Sequence, residues 1–150
     1  MIDERFARLE GAYTESPIHA TLGLTLRVKA AGEVVITFDG SERTGNRSKV
    51  VAGGAIATMI DSAIVQAVRT LLDPADRTAT VDLSVSFVRP GRIGRALSTT
   101  GRVDHLGRSL AVGRATTVDP DGEIVAVGLG TVSVRRVDQR HDARAGTAEP

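Results

Sequence analysis

Among residues 46–61, N-R-S-K-V-V-A-G-G-A-I-A-T-M-I-D, a single carboxylate, Asp61, sits in an otherwise apolar run that opens on the glycine pair Gly53-Gly54. A carboxylate in such surroundings is suited to attack a carbonyl or to take a proton from water. Glycines at a helix start leave the first-turn N–H groups open to an outside acceptor, and the helix dipole there favours developing negative charge. Together these are the parts of an acyl-transfer site: an oxyanion donor at Gly53, with Gly54 beside the substrate, and a general base or nucleophile at Asp61. The two lie eight residues apart, roughly 12 Å along one helix at 1.5 Å per residue. That is too far for both to act on one carbonyl, so a working site requires Asp61 to meet the Gly53 amide of a second copy across a two-fold interface.

The residues around them specify the element that carries them. Ile56, Met59, Ile60, Ala63, Ile64, Ala67, Val68 and Leu71 recur at helical spacing, with Ala57 and Val65 widening the stripe toward Asp61. The helix is expected to end near Asp73-Pro74, and no Arg or Lys lies one turn from Asp61 on it. Before it, residues 3–13 form an amphipathic helix stopped by Pro17, and alternation from Leu22 to Val28 and from Val34 to Phe38 gives a hairpin turning at Ala31-Gly32. Residues 39–48 are a polar loop. After it, strands are expected over 80–88, 96–103, 109–118 and 124–134, with breaks at Arg89-Pro90-Gly91, His105-Leu106-Gly107 and Asp119-Pro120-Asp121-Gly122. This order implies an α+β fold, an antiparallel sheet with one long helix on a face. We expect one domain over residues 1–134 and a disordered tail over 135–150, where periodicity is absent.

Composition removes several alternatives. The net charge is +1, with arginines dispersed among carboxylates, so no nucleic-acid footprint is indicated. There is no cysteine, and His19, His105 and His141 show no metal-ligand spacing, so neither disulfides nor a metal cofactor is expected. His19 and His105 are expected to be ordinary surface residues. The amino terminus is charged, without the apolar core of a signal peptide, and no segment is apolar enough to span a membrane; we expect a cytoplasmic protein.

The spacing N-x6-G-G-x6-D at the central helix, V-D-L-S-V-S-F-V-R-P-G after it and D-G-E-I-V-A near the end resemble the hotdog-fold acyl-CoA thioesterases of the phenylacetate-degradation type, over roughly residues 18–134. The resemblance implies a hotdog fold, with a long helix wrapped by an antiparallel sheet, joined into a homodimer or dimer of dimers with active sites at the interface. It implies that Gly53 binds the thioester oxygen, that Asp61 is nucleophile or general base, that Asn46 helps hold the carbonyl or water, and that Thr80 orients water. Arg89, Arg92, Arg95 and Arg108 are candidates for the phosphates of coenzyme A, and no cofactor is needed. One departure stands out: Ala52 occupies the position where the family carries histidine, giving A-G-G for H-G-G. The alternative reading is therefore a non-catalytic hotdog protein that binds an acyl-CoA.

Overall fold

The structure, a computed structural model, describes residues 3–137. Two short helices, α1 (Glu4–Tyr13) and α2 (Pro17–Leu22), precede the hairpin β1 (Leu24–Ala30) and β2 (Glu33–Phe38). A loop with one 3-10 turn (Glu42–Thr44) leads to the long helix α3 (Gly53–Arg69). Four strands follow: β3 (Arg77–Phe87), β4 (Leu97–Leu106), β5 (Leu110–Val118) and β6 (Ile124–Arg135). All six strands form one antiparallel sheet in the order β1-β2-β4-β5-β6-β3, which leaves β1 and β3 at its edges.

The expected element order is present, with three corrections. Pro17 starts a second helix where it was expected only to end the first: it occupies the first turn of α2, where its missing N–H has no helical partner to lose, and Gly23 closes that helix in the left-handed conformation. Leu71 lies beyond the end of α3 and is exposed. At the other end, β6 includes Arg135, and Arg136 and Val137 both reach Asp76, through an ion pair at 3.7 Å and a backbone hydrogen bond at 3.0 Å. The remainder of the expected tail, residues 138–150, lies outside the described residues.

α3 lies on one face of the sheet with Ile56, Met59, Ile60, Ala63, Ile64, Ala67 and Val68 buried. Against them pack Val34, Ile36 and Phe38 of β2, Leu97 of β4 and Val132 of β6, all buried. Each large side chain buried this way contributes about 1.5–3 kcal/mol. What sets the height of the helix is the floor beneath it. A Cβ on Gly101 would stand 2.4 Å from the carbonyl oxygen of Ala63, and one on Gly128 would stand 2.4 Å from Ile60 Cγ2. Gly113 and Gly130, paired across β5 and β6, meet Ile64 in the same manner. At Gly101 the helix backbone therefore rests almost on the sheet backbone, and at the other three glycines the side chains of Ile60 and Ile64 take the space that a Cβ would need.

Gly101→Ala is expected to lower stability by about 1–3 kcal/mol through overpacking. Gly11→Ala, in the exposed last turn of α1 where nothing lies within 4 Å of the new Cβ, is expected to raise it by up to about 1 kcal/mol. Denaturant unfolding of both variants checks this, and equal effects from the two would contradict the close seating of α3.

Candidate active site

With Ile60, Ala63 and Ile64 turned into the floor, Asp61 is left half-buried on the flank of α3 that faces β3. Thr80 meets it there: its Oγ1 donates to Asp61 Oδ1 at 2.6 Å. The strand is shaped for this contact. Thr80 pairs with Val132 but Asp82 pairs with Thr131, so Val81 is an extra residue, a β-bulge, and its side chain is 61% exposed. A hydroxyl that can rotate donates to one carboxylate oxygen and leaves Oδ2 open.

At the other end of the helix, Ala52 adopts the extended conformation, φ −60° and ψ 137°, and no side chain caps the first turn. The amides of Ala55 and Ile56 fold back onto the Ala52 carbonyl, whereas those of Gly53 and Gly54 make no hydrogen bond among the described residues. Gly53 lies under the ring of Phe87, where a Cβ would approach Cζ to 3.3 Å; Gly54 is exposed, with nothing within 4 Å of a Cβ. Asn46 sits in the preceding loop, and its Oδ1 accepts from the amides of Ser48 at 2.9 Å and Val50 at 3.4 Å. The loop is then pinned by Ala52 N–H to the Thr44 carbonyl and by Val51 N–H to the Gly91 carbonyl. Asn46 thus shapes the approach to the glycines with its oxygen, and its exposed amide nitrogen remains as a donor.

Thr80 and Asp61 come together within one chain, while Gly53 and Asp61 stay on one straight rod. The arginines are divided. Arg89 pairs with Glu123, Arg95 pairs with Asp121 at 2.6 Å, and Arg92 forms an isolated bridge with Val50; all three lie on the β3–β4 connection. Arg108 is in the β4–β5 turn, at the end of the sheet where His105 and Leu106 share a depression with Leu71.

His19 is half-buried and held on both ring nitrogens, not an ordinary surface residue. Its Nε2 lies 3.2 Å from Ser62 Oγ, its Nδ1 lies 3.0 Å from the Tyr13 carbonyl oxygen, and its ring stacks on that of Tyr13 at 4.0 Å. Tyr13 Oη in turn lies 3.0 Å from Ser62 Oγ. A carbonyl only accepts, so in the neutral ring Nδ1 carries the proton, Nε2 accepts from Ser62, and Ser62 accepts from Tyr13. This buried chain ties the α1–α2 segment to the helix residue next to Asp61. Nothing local in the sequence marks it, since His19 and Ser62 are 43 residues apart. His105 is exposed on β4, not in a turn, and His141 lies outside the described residues. Among the described residues no cluster of three or more His, Asp or Glu could hold a metal ion, and no helix is long and apolar enough to cross a membrane.

Comparison with known proteins supplies the family. A model of the thioesterase superfamily matches residues 48–126, more than half of the chain and the stretch that holds Gly53, Asp61 and Thr80. The chain belongs to the thioesterase superfamily. This thioester hydrolase is also 31% identical over 147 residues to a Halobacterium salinarum protein whose name places it provisionally among the esterases, covering 91% of this chain and 96% of the relative. Among solved structures it is similar to the PaaI protein of the E. coli phenylacetic acid degradation operon, with a TM-score of 0.79 at 21% identity, covering 92% of this chain and 97% of that one. A Haemophilus influenzae thioesterase superposes with a TM-score of 0.80 at 18% identity, covering 91% and 94%. A phenylacetic acid degradation-related protein of Ralstonia eutropha does so with a TM-score of 0.76 at 26% identity, covering 85% and 98%. The thioesterase has the hotdog fold of these proteins.

Tyr13 offers a direct probe of the site, because it is the sole tyrosine of a chain without tryptophan. Burial pushes its phenol up from the ordinary 10.0 to about 12, the Ser62 hydrogen bond opposes the rise, and the nearby Asp61 charge adds to it. The folded state therefore favours the protonated form: its stabilisation is whole below pH 10.0 and is lost as pH rises through about 12. Titration of tyrosinate absorbance in the folded protein should show a midpoint near 12, and Asp61→Asn should lower it. A midpoint at 10.0 would contradict the burial.

Proposed function

We propose that this thioesterase hydrolyses an acyl-CoA to the free acid and coenzyme A, in a site shared by two copies of the chain. The observation that carries the reading is the 2.6 Å hydrogen bond from Thr80 to Asp61 at the free edge of the sheet. It holds the only carboxylate of α3 in one rotamer, with one oxygen committed and the other open toward the edge. The long edge strand β3, with Val81 at 61%, Phe87 at 54% and Val88 just beyond it at 55% exposure, supports pairing with a second copy, which would satisfy its free backbone groups. Antiparallel pairing about a two-fold axis brings the Asp61 of one subunit toward the helix start of the other.

In this mechanism the Gly53 N–H, and the dipole of α3 behind it, bind the thioester oxygen as it gains charge. Oδ2 of Asp61 from the facing subunit either takes a proton from a water whose oxygen bonds to the carbonyl carbon, or itself attacks that carbon; the C–S bond then breaks and coenzyme A leaves as the thiolate, and on the second route water opens the resulting acyl-aspartyl anhydride to release the acid. Thr80 stabilises the carboxylate and fixes its aim, and the Asn46 amide donates to the carbonyl or the water. Gly54 leaves space for the substrate to lie against the helix. Ala52, where the related enzymes carry histidine, removes one donor from this set, and the second reading, an acyl-CoA binder without turnover, rests on that substitution.

A hydrolysis screen over short, long and aromatic acyl-CoAs separates the two: turnover supports the shared-site enzyme, and tight binding with a flat screen favours the binder. On the best substrate, Asp61→Asn is expected to keep the fold and lower kcat by about 10²–10⁴-fold, the usual worth of a positioned base. Thr80→Val should cost roughly tenfold, the worth of one hydrogen bond to a charged group. Hydrolysis at the wild-type rate by folded Asp61→Asn would exclude the assignment.

A further inference from the structure

Thr80 and Phe87 stand seven residues apart on β3. An odd interval puts two residues of a regular strand on opposite faces. Here both face α3: Thr80 pairs with the buried Val132 and donates to Asp61, while Phe87 pairs with the buried Ala126 and covers Gly53. The extra residue at Val81 is what brings them to one side. Between them Leu83 and Val85 keep to the same face, opposite Gly130 and Gly128, and Asp82, Ser84 and Ser86 take the other.

Phe87 is 54% exposed although its position faces the helix, because the helix start that it meets is glycine. The tip of its ring takes the space that a side chain on Gly53 would need, with Cζ 3.3 Å and Cε1 3.4 Å from the Cβ position. A carbonyl oxygen accepting from the Gly53 N–H at about 2.9 Å sets its carbon, and the first carbon of the acyl chain, beside that ring. The other side is open, since Gly54 is exposed with nothing within 4 Å of a Cβ.

In the edge pairing proposed above, one register closes the site. Phe87 marks the Gly53 amide and Thr80 marks Asp61, so Asp61 reaches Gly53 across the two-fold axis where Phe87 stands opposite the partner's Thr80. Counted inward from that pair, Val81 is left over as the bulge, Ser86 faces the partner's Asp82, and Val85 faces the partner's Leu83. The axis then passes Ser84, where two copies of one side chain meet and a small one fits.

We propose that Phe87 is a specificity-determining residue of the shared site: its ring, between the Gly53 amide of its own subunit and the partner's Thr80, bars branching on the carbon next to the thioester carbonyl. The proposal rests on the acyl-CoA reading above. Turnover of n-butyryl-CoA and isobutyryl-CoA, isomers that differ only in branching at that carbon, tests it. The wild type should favour the straight chain in kcat/KM by about tenfold or more, the worth of one methyl group in a close-fitting pocket. Phe87→Ala should bring the ratio within about twofold, and Phe87→Leu should fall between. A purely structural role would lower both substrates together, so an unchanged ratio in folded Phe87→Ala, or a wild-type ratio near one, would overturn the proposal. Calorimetry with the ketone analogues, in which a methylene replaces sulfur, reads the same ratio without hydrolysis. If neither thioester is hydrolysed yet the analogues show the preference and Phe87→Ala removes it, the hydrolytic reading fails and the role of Phe87 stands; binding of neither analogue overturns both. The register has its own test, because the chain has no cysteine. Mild oxidation should link Ser84→Cys into a covalent dimer and leave Asp82→Cys unlinked. Linkage of Asp82→Cys alone, or of neither variant, would move Phe87 away from the partner's Thr80 and overturn the placement.

Discussion

The close seating of α3 on glycine governs the rest of the molecule. Because Gly101, Gly113, Gly128 and Gly130 let the helix come down onto β4, β5 and β6, its rotation is fixed by Ile60, Ala63 and Ile64, and every other position on it has a determined direction. Asp61 must then face β3, and Gly53 must present its amide at the far end of a straight rod. A looser interface filled with ordinary side chains would leave the helix free to roll and carry Asp61 away from Thr80, whose hydrogen bond completes its aim. The same rigidity keeps Gly53 and Asp61 about two turns apart, which is why the proposed site draws its oxyanion donor and its carboxylate from two subunits.

β3 is the second determinant. It is at once the strand that holds the carboxylate, through Thr80, the strand that covers Gly53, through Phe87, and an edge of the sheet with an exposed apolar bulge at Val81. A free edge of eleven residues is a liability for a monomer and an opportunity for a symmetric pair. In the proposed mechanism, placing Thr80 on that edge couples catalysis to assembly. The Tyr13–Ser62–His19 chain fastens the α1–α2 segment to the residue beside Asp61.

The fold was legible wherever a signal is periodic and local. The stripe from Ile56 to Val68 and the alternation in each strand gave element order and type, and the motif from Asn46 to Asp61 with Thr80 gave the residues from which the site is proposed. What escaped has a physical reason in each case. Pro17 both ends a helix and begins one, and only the three-dimensional course of the chain selects between these. A bulge at Val81 is a slip of one residue between two strands, with no mark in either. His19 acquires its meaning from Ser62 and Tyr13, one distant in sequence and one reached through its backbone carbonyl. The glycine floor is spread over three strands, so no single segment displays it.

The central claim is that one carbonyl is served by the Gly53 amide of one subunit and the Asp61 carboxylate of the other, and mixing two inactive variants tests it most directly. Gly53→Pro deletes the amide at a first-turn position that accepts proline, and Ala52 already has the extended backbone, ψ 137°, that a following proline requires. Asp61→Asn deletes the carboxylate. Each variant alone should be nearly inactive. Unfolded, mixed in equal amounts and refolded together, they should recover about one quarter of wild-type activity, because half of randomly formed pairs are mixed and each mixed pair carries one intact site. Mixtures no more active than the separate variants, with mixed dimers demonstrated, would place both groups in one chain and contradict the shared site.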